Sequence, residues 1–391
     1  MSDAIAVINA GSSSIKFSVY LHLADAQLQP WLAGMLDGIG SGPHGLVRDA
    51  QGQTLLERNW PATTGYTELL LGLLDWLETH LGEHTLRAVG HRVVHGGPHH
   101  AKPQRVDAAL LADLQALVPL APLHQPHNLL AITTLAAHLP DLLQIACFDT
   151  AFHQGMPALA RQFALPRALS EQGVLRYGFH GLSYEYIAGE LARLDPAALA
   201  GRVVVAHLGS GASLCALQGG RSVASSMGFS ALDGLMMGSR CGAIDPGVLL
   251  YLQRQGMGLD ELEDLLYRRS GLLGVSGISS DLRVLLASDS PHAREAIDLF
   301  VYRIVREIGA LVAVLGGLDA LVFTAGIGEH APAIRAAVGR ALGWLGMALD
   351  ESANEAGALR ISTAASAVSV WAIPTDEAAM IARHCLALLR G

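Results

Sequence analysis

Apolar residues follow two rhythms along the chain. Residues 4–8 and 15–20 are short runs rich in β-branched and aromatic side chains, which predicts two strands. The Asn9-Ala-Gly-Ser-Ser-Ser14 segment between them has the small, polar make-up of a turn. Residues 66–81 and 106–120 instead space their apolar side chains helically, with Asp107 placed to cap the second helix. Residues 40–65 read as a loop-rich, peripheral stretch, and 142–148 as a buried strand ending at Asp149. A strand over 202–206 then enters His207-Leu-Gly-Ser-Gly-Ala-Ser213, and 214–217 leads out again. Farther on, Ile297, Val301, Ile304, Ile308, Leu311 and Leu315 mark one face of a long helix. Residues 320–324 read as a strand, 326–329 as a turn, and Pro332 suits the first turn of another helix.

The second cycle echoes the first, with Gly11-Ser12 in line with Gly209-Ser210. Two such cycles about 200 residues apart suggest a duplicated α/β unit with a cleft between the copies. Strand–glycine–strand hairpins are common, so the echo also has a plain explanation. The length of 391 residues allows two or three domains at roughly 150 residues each.

A mean hydropathy of +0.35 raises the question of a membrane. The stretch 114–140 lacks Asp, Glu, Lys and Arg but carries four Pro and three His. The uninterrupted apolar run between Glu307 and Asp319 falls well short of the ~20 residues a span needs. The N-terminus has no basic region ahead of a long apolar run, so no signal peptide and a cytoplasmic location are expected. The formal charge of −9, with no Lys/Arg cluster, argues against nucleic acid or an anionic membrane as partner. Cys147, Cys215, Cys241 and Cys385 are scattered without CxxC spacing and read as buried small hydrophobes.

Against that acidic background a few cations and glycine turns stand out. Only two lysines occur, Lys16 and Lys102. Lys16 closes the Asn9–Lys16 segment, whose small residues let backbone N–H groups and hydroxyls approach a phosphate, with a plain serine turn as the alternative. No Walker Gly-Lys-Ser/Thr is present. His91-Arg-Val-Val-His-Gly-Gly97 sets Arg92 beside a tight turn, suited to a bidentate grip on carboxylate or phosphate. His91, His95 and His99 also invite a metal reading, which Gly96-Gly97-Pro98 weakens by breaking any helix that would align them. Asp149, His180 and His207 are polar residues beside apolar strands or in glycine-rich turns. Arg240 lies in the turn-rich stretch 238–247. Gly326-Ile-Gly-Glu-His-Ala331 matches GxGxxA between a strand and a helix, so a Rossmann dehydrogenase competes as a reading, but the motif opens no mononucleotide unit and reads better as a nucleotide-contacting turn. No Gly-x-Ser-x-Gly or HExxH occurs, leaving serine-hydrolase and zincin readings without support.

Seven motifs, in order along nearly the whole chain, resemble those of the acetate kinase family of the acetate/sugar kinase, heat-shock cognate and actin superfamily. They are Val-Ile-Asn-Ala-Gly-Ser-Ser-Ser-x-Lys, Gly-His-Arg-Val-Val-His-Gly-Gly, Phe-Asp-Thr-Ala-Phe-His-Gln, Arg-Tyr-Gly-Phe-His-Gly, His-Leu-Gly-x-Gly-Ala-Ser, Ser-Gly-Ile-Ser-Ser-Asp-Leu-Arg and Gly-Ile-Gly-Glu. The resemblance implies an α/β protein of two duplicated ribonuclease-H-like domains, each a mixed sheet flanked by helices, around a central cleft. Residues 1–149 plus 375–391 would form one domain and 150–374 the nucleotide-binding one. It further implies a homodimer, Mg²⁺ (with Mn²⁺ an alternative), and reversible transfer between ATP/ADP and acetate or another short carboxylate. By position, Asn9 and Glu377 would arrange the metal, and Lys16, Ser12 and Ser14 would line the phosphate region. Arg92 and Arg240 would hold the carboxylate and the moving phosphoryl group, His180 would donate to it, and Asp149 would orient the acceptor or a metal-bound water. His207, Leu208, Gly209, Ser210 and Gly211 would meet the β- and γ-phosphates. Asp281, Leu282, Arg283, Gly326, Ile327, Gly328, Glu329 and His330 would frame adenosine. Val94, Leu123, Phe179 and Ala231 would bound a small acyl pocket.

Four positions depart from the family pattern. Ser210 and His330 each stand where the family usually has Asn, and Pro374-Thr-Asp-Glu-Ala378 differs around Glu377. Ala231 stands where a Pro usually borders the acyl pocket, making room for one more methylene. Such a change is worth about 1–3 kcal/mol of discrimination, so propionate kinase is the alternative within the same chemistry. A nucleotide-switched binding protein on the same fold is the alternative outside catalysis. The retained Arg92, Asp149, His180 and Arg240 argue against it.

Overall fold

The computed structural model describes residues 2–22 and 28–390. The chain divides into two compact units, Met1–Ala151 with Asp376–Gly391, and Phe152–Thr375.

In the first unit, β1 (Asp3–Ala10), β2 (Ile15–His22), β3 (Leu28–Asp37), β4 (His44–Asp49) and β5 (Thr54–Asn59) form an antiparallel run. On the other side of β1, β6 (Thr85–Val93) and then β8 (Leu143–Phe148) join in parallel, and the short β7 (Gln104–Arg105) closes the edge against β8. The sheet order is therefore β5-β4-β3-β2-β1-β6-β8-β7. Ala4, Ala6, Ile8 and Val89 project from one face onto helix Tyr66–His80, through Leu69, Leu70, Leu73, Leu74 and Leu77. Successive strand residues point to opposite faces, so Gly90, next to Val89, faces the other way. There helix Glu377–Arg390 lies so close that a Cβ on Gly90 would sit 2.4 Å from Ile381 and 2.6 Å from Cys385. The end of the chain thus completes the unit in which the chain begins.

The second unit repeats the core of this plan. Strands β9 (Arg202–Leu208), β10 (Ala212–Gln218) and β11 (Arg221–Ser225) are antiparallel, and β12 (Ala320–Thr324) and β13 (Ser369–Ala372) follow β9 in parallel. Its order, β11-β10-β9-β12-β13, matches β3-β2-β1-β6-β8 in both sequence and direction. Val204, Ala206, Leu214, Leu321 and Phe323 pack with Phe300, Ile304, Ile308 and Leu311 of helix Pro291–Leu315. The alternate residues Val203, Val205, Cys215 and Val322 pack with Tyr184, Ile187 and Leu191 of helix Gly181–Leu194. Burial on both faces explains why these strands read as continuous apolar runs instead of alternating ones. Two mixed sheets flanked by helices bear out the duplicated α/β architecture read from the sequence.

Two expectations are corrected. Residues 40–65 hold β4 and the edge strand β5, not loop alone. The 326–329 turn is part of a short helix, Ala325–His330. The helix expected over 106–120 runs Ala108–Ala116, capped by Asp107 whose side chain accepts from the Leu110 N–H, and a 3₁₀ turn Val118–Leu120 follows it. None of the four cysteines forms a disulfide; Cys147, Cys215 and Cys385 are buried, while Cys241 is only half-buried. No helix among the described residues is long and apolar enough to cross a membrane.

Candidate functional site

In the first unit, three strand ends and one helix start bring polar residues together. Asn9 is the penultimate residue of β1 and pairs in register with Lys16 at the start of β2. The turn between them is closed by the Gly11 N–H donating to the Ser14 carbonyl at 2.8 Å. Ser12 and the Lys16 side chain are exposed, and Ser14 is half-buried. Arg92 comes from β6, Asp149 follows the last residue of β8, and Glu377 opens the C-terminal helix.

These groups converge on the Arg92 guanidinium. Its Nε donates to Asp149 Oδ1 at 3.1 Å, and a second nitrogen donates to Asp149 Oδ2, giving a bidentate pair. A third nitrogen donates to Asn9 Oδ1 at 3.3 Å, and Glu377 Oε2 lies 3.7 Å from Nε. Asp149 is 1% exposed, whereas Arg92 and Glu377 keep 21% and 22% of their side chains in solvent. Burial works against the Arg92 charge, but Asp149 and Glu377 outweigh it and hold its pKa above the ordinary value. Asn9 and Glu377 offer hard oxygen donors of the kind that Mg²⁺ or Mn²⁺ takes.

Around Arg92 the backbone is fixed by residues the sequence reading missed. Asn128 Oδ1 accepts from the Val94 N–H at 3.0 Å, and its amide nitrogen donates to the Ala10 carbonyl at 2.7 Å, tying the ends of β1 and β6. Thr150 Oγ1 accepts from the Gly96 N–H at 3.0 Å. The only sequence hint was a polar Gln-Pro-His-Asn start to an otherwise apolar helix. Val94 is buried and Leu123 half-buried. His91 is locked in the core against the Gln144 side-chain amide at 2.8 Å, and burial pulls its pKa down to about 4.

The second unit repeats the hairpin with different chemistry. His207 is penultimate in β9 and pairs with Ser213 of β10, as Asn9 pairs with Lys16. Gly209 N–H donates to the Gly211 carbonyl at 3.0 Å across the turn. The His180 and His207 rings stack with centroids 4.2 Å apart. His180 Nδ1 lies 2.8 Å from Ser213 Oγ, and His207 Nδ1 lies 2.9 Å from Ser183 Oγ. A Cβ on Gly211 would be 3.1 Å from an Arg240 nitrogen and 3.4 Å from His180 Nε2, so the turn, Arg240 and His180 share one locality. Arg240 donates to the Ala231 carbonyl at 2.6 Å. The Phe179 side chain belongs to the core beside this cluster.

Adjoining the Gly209 turn is a cavity of about 480 Å³ lined by Gly209, Ser210, Asp281, Leu282, Arg283, Gly326, Ile327 and His330. Ser280, Leu286 and Ala331 also line it. Leu286 escaped the sequence reading although it lies one helical turn beyond Leu282. At the rim Asp281 caps helix Leu282–Leu286 and takes a bidentate bond from Arg283, which lowers the Asp281 pKa. Gly328 is buried, and Glu329 turns away to accept the Thr375 N–H at 3.0 Å. Beneath this wall the buried Arg335 donates to the carbonyls of Gly328 and Glu329 at 2.9 and 2.7 Å and to Asn354 Oδ1 at 2.7 Å. That anchor too was invisible in sequence.

The acetokinase family model matches residues 4–383. The chain belongs to this family. Within it, the acetate kinase of Rhodopseudomonas palustris (strain TIE-1) is 58% identical over 400 residues, covering all of both chains. Among solved structures, a propionate kinase from Francisella tularensis matches with a TM-score of 0.90 at 33% identity over 98% of each chain. The acetate kinase of Porphyromonas gingivalis matches at 0.87 and 34% identity, over 99% of this chain and 100% of the other. The family resemblance carried by the seven motifs is borne out, and acetokinase membership replaces the dehydrogenase reading of residues 326–331.

Proposed function

We propose that the chain catalyses reversible phosphoryl transfer between ATP and acetate, giving acetyl phosphate and ADP. It is an ATP-dependent phosphotransferase with a carboxyl group as acceptor. The observation that carries the reading is end-to-end likeness to an acetate kinase at 58% identity.

Acetate is a weak nucleophile but already ionised, so no general base is needed. One of its oxygens forms a bond to the γ-phosphorus while the bond from that phosphorus to the bridging oxygen breaks, and ADP leaves with that electron pair. The obstacle is repulsion between an anion and a polyanion. Catalysis is therefore positioning plus charge neutralisation. Arg92 and Arg240 hold the carboxylate and the phosphoryl oxygens. Asp149 fixes the planar fork of Arg92 and orients the acceptor. His180 donates from Nε2, its Nδ1 being engaged with Ser213. Lys16, Ser12 and Ser14 line the phosphate region, the His207–Gly211 turn meets the β- and γ-phosphates, and the 480 Å³ cavity takes adenosine. Asn9 and Glu377 would hold a Mg²⁺ ion, which when bound offsets phosphate charge. We further propose that the enzyme works as a homodimer in the cytoplasm.

A second reading, propionate kinase, is favoured by Ala231, which stands where the family usually carries the bulkier ring of a proline. Trapping the acyl phosphate with hydroxylamine tests both readings at once. Hydroxamate should form from ATP, Mg²⁺ and acetate, with propionate used within about a hundredfold of acetate in kcat/KM and butyrate least. A strong preference for propionate would replace the first reading by the second, and no hydroxamate with any of the three acids would contradict both.

A further inference from the structure

Beside the second unit's cluster lies a buried hydrogen-bonded set for which the transfer chemistry has no use. Cys215 Sγ is 3.3 Å from Ser222 Oγ, that oxygen is 2.8 Å from His153 Nδ1, and His153 Nε2 is 2.9 Å from the Phe179 carbonyl oxygen. Cys215, Ser222 and His153 are all essentially inaccessible to solvent. A carbonyl only accepts, so Nε2 must carry the ring proton and Nδ1 must accept from the Ser222 hydroxyl. The Ser222 oxygen in turn accepts from the Cys215 thiol. The donors therefore run in one direction, from thiol to hydroxyl to imidazole to the Phe179 carbonyl. Burial pulls the His153 pKa down to about 4 and pushes the Cys215 thiol up to about 12, so neither ionises near neutrality. A Cys–His nucleophile is therefore not what this set provides.

What it holds is the peptide leading into His180. His180 has φ 58, a left-handed conformation that few non-glycine residues adopt, and it is the N-cap of helix Gly181–Leu194. Gly178, two residues earlier, is also left-handed at φ 76. A Cβ on Gly178 would stand 2.6 Å from the His153 ring, so the ring occupies the space that glycine leaves. The His153 N–H thus clamps the 179–180 peptide at the point where the backbone is least relaxed.

We propose that His153 is a positioning residue for His180: by donating from Nε2 to the Phe179 carbonyl and packing beneath Gly178, it sets the direction in which the His180 imidazole points. This rests on the reading of His180 as a donor to the moving phosphoryl group. Substrate contacts are left to His180 itself, so the effect of losing the clamp falls on the transition state and not on substrate binding.

The test uses the full-length enzyme with steady-state kinetics and ¹⁵N NMR of the ring. His153→Gln retains a donor for Phe179 and an acceptor for Ser222 at nearly the imidazole spacing, and should keep kcat within about threefold. His153→Phe keeps the ring but loses the donor, and should lower kcat about ten- to a hundredfold with the KM values for ATP and acetate within about twofold. The wild-type His153 ring should be neutral with its proton on Nε2, and Ser222→Ala should keep that tautomer, because the Phe179 carbonyl still takes the Nε2 proton, and lower kcat less than His153→Phe does. A folded His153→Phe enzyme with wild-type kcat overturns the proposal, as does a wild-type ring protonated on Nδ1. If His153→Phe fails to fold, Ser222→Ala and the tautomer measurement decide. A His180→Ala enzyme with wild-type kcat would instead overturn the donor reading of His180, while the tautomer still tests the clamp.

Discussion

Arg92 owes its position to groups drawn from β1, from the end of β8 and from the C-terminal helix, all meeting one planar cation. Removing it takes the bidentate Arg92 bonds from the buried Asp149 carboxylate, yet the Arg92 side chain is partly open to solvent, so the fold should survive. Arg92→Ala and Arg240→Ala should each lower kcat by about 10²–10³ while keeping the wild-type circular dichroism spectrum. Near-normal turnover in either would remove it from the transfer step. A second consequence concerns acid. His91, His95 and His153 are buried and neutral, each pulled by burial to about 4. In the unfolded chain they titrate near 6.5, so the unfolded state takes up protons first as pH falls. Their contribution to stability is complete above about pH 6.5 and is lost progressively toward pH 4, at up to about 3 kcal/mol per histidine. Melting temperature should therefore fall steadily across that window, and a flat profile would mean these rings are not buried neutral. Sequence disclosed the residues with chemical contrast: a rare lysine after a serine turn, an aspartate ending an apolar run, an arginine before glycines. It concealed Asn128 and Arg335, because their roles consist of side-chain bonds to backbone groups, which composition and spacing do not reveal.

At the scale of elements, the two glycine hairpins were readable because apolar strands and small-residue turns contrast sharply. The edge strand β5 was not, because it buries almost nothing and so shows no alternation of apolar and polar positions. Helix Ala325–His330 defeated its own composition: two glycines suggest a turn, but Arg335 fixes the carbonyls of Gly328 and Glu329 from below. Tertiary contact overrode local propensity there. A tertiary contact likewise makes Gly90 a critical residue. A side chain there must displace Ile381 and Cys385, and with them the helix that begins at Glu377. Gly90→Val should cost about 1–3 kcal/mol in urea unfolding and lower activity as well, by shifting Glu377 away from Arg92. Full activity at unchanged stability would show that the C-terminal helix does not depend on this contact.

Over the whole molecule, one strand order serves two units with different polar residues at equivalent hairpin positions. Asn9 and Lys16 occupy in the first what His207 and Ser213 occupy in the second. Duplication was visible in the sequence as an echo; the matching order and direction of five strands in each sheet make it concrete. The net charge of −9 seemed only to exclude polyanionic partners. For a chain that handles ATP and a carboxylate, it means that cations must act locally, as Arg92, Arg240 and Lys16 are proposed to do. The central claim is that a carboxylate oxygen attacks the γ-phosphorus directly. Acetate labelled with ¹⁸O in both oxygens, incubated with ATP and Mg²⁺ and followed by ³¹P NMR, tests it. Direct attack predicts acetyl phosphate whose phosphorus bears one ¹⁸O, seen as an isotope-shifted resonance in every molecule formed from labelled acetate. Acetyl phosphate with no ¹⁸O on phosphorus would contradict it.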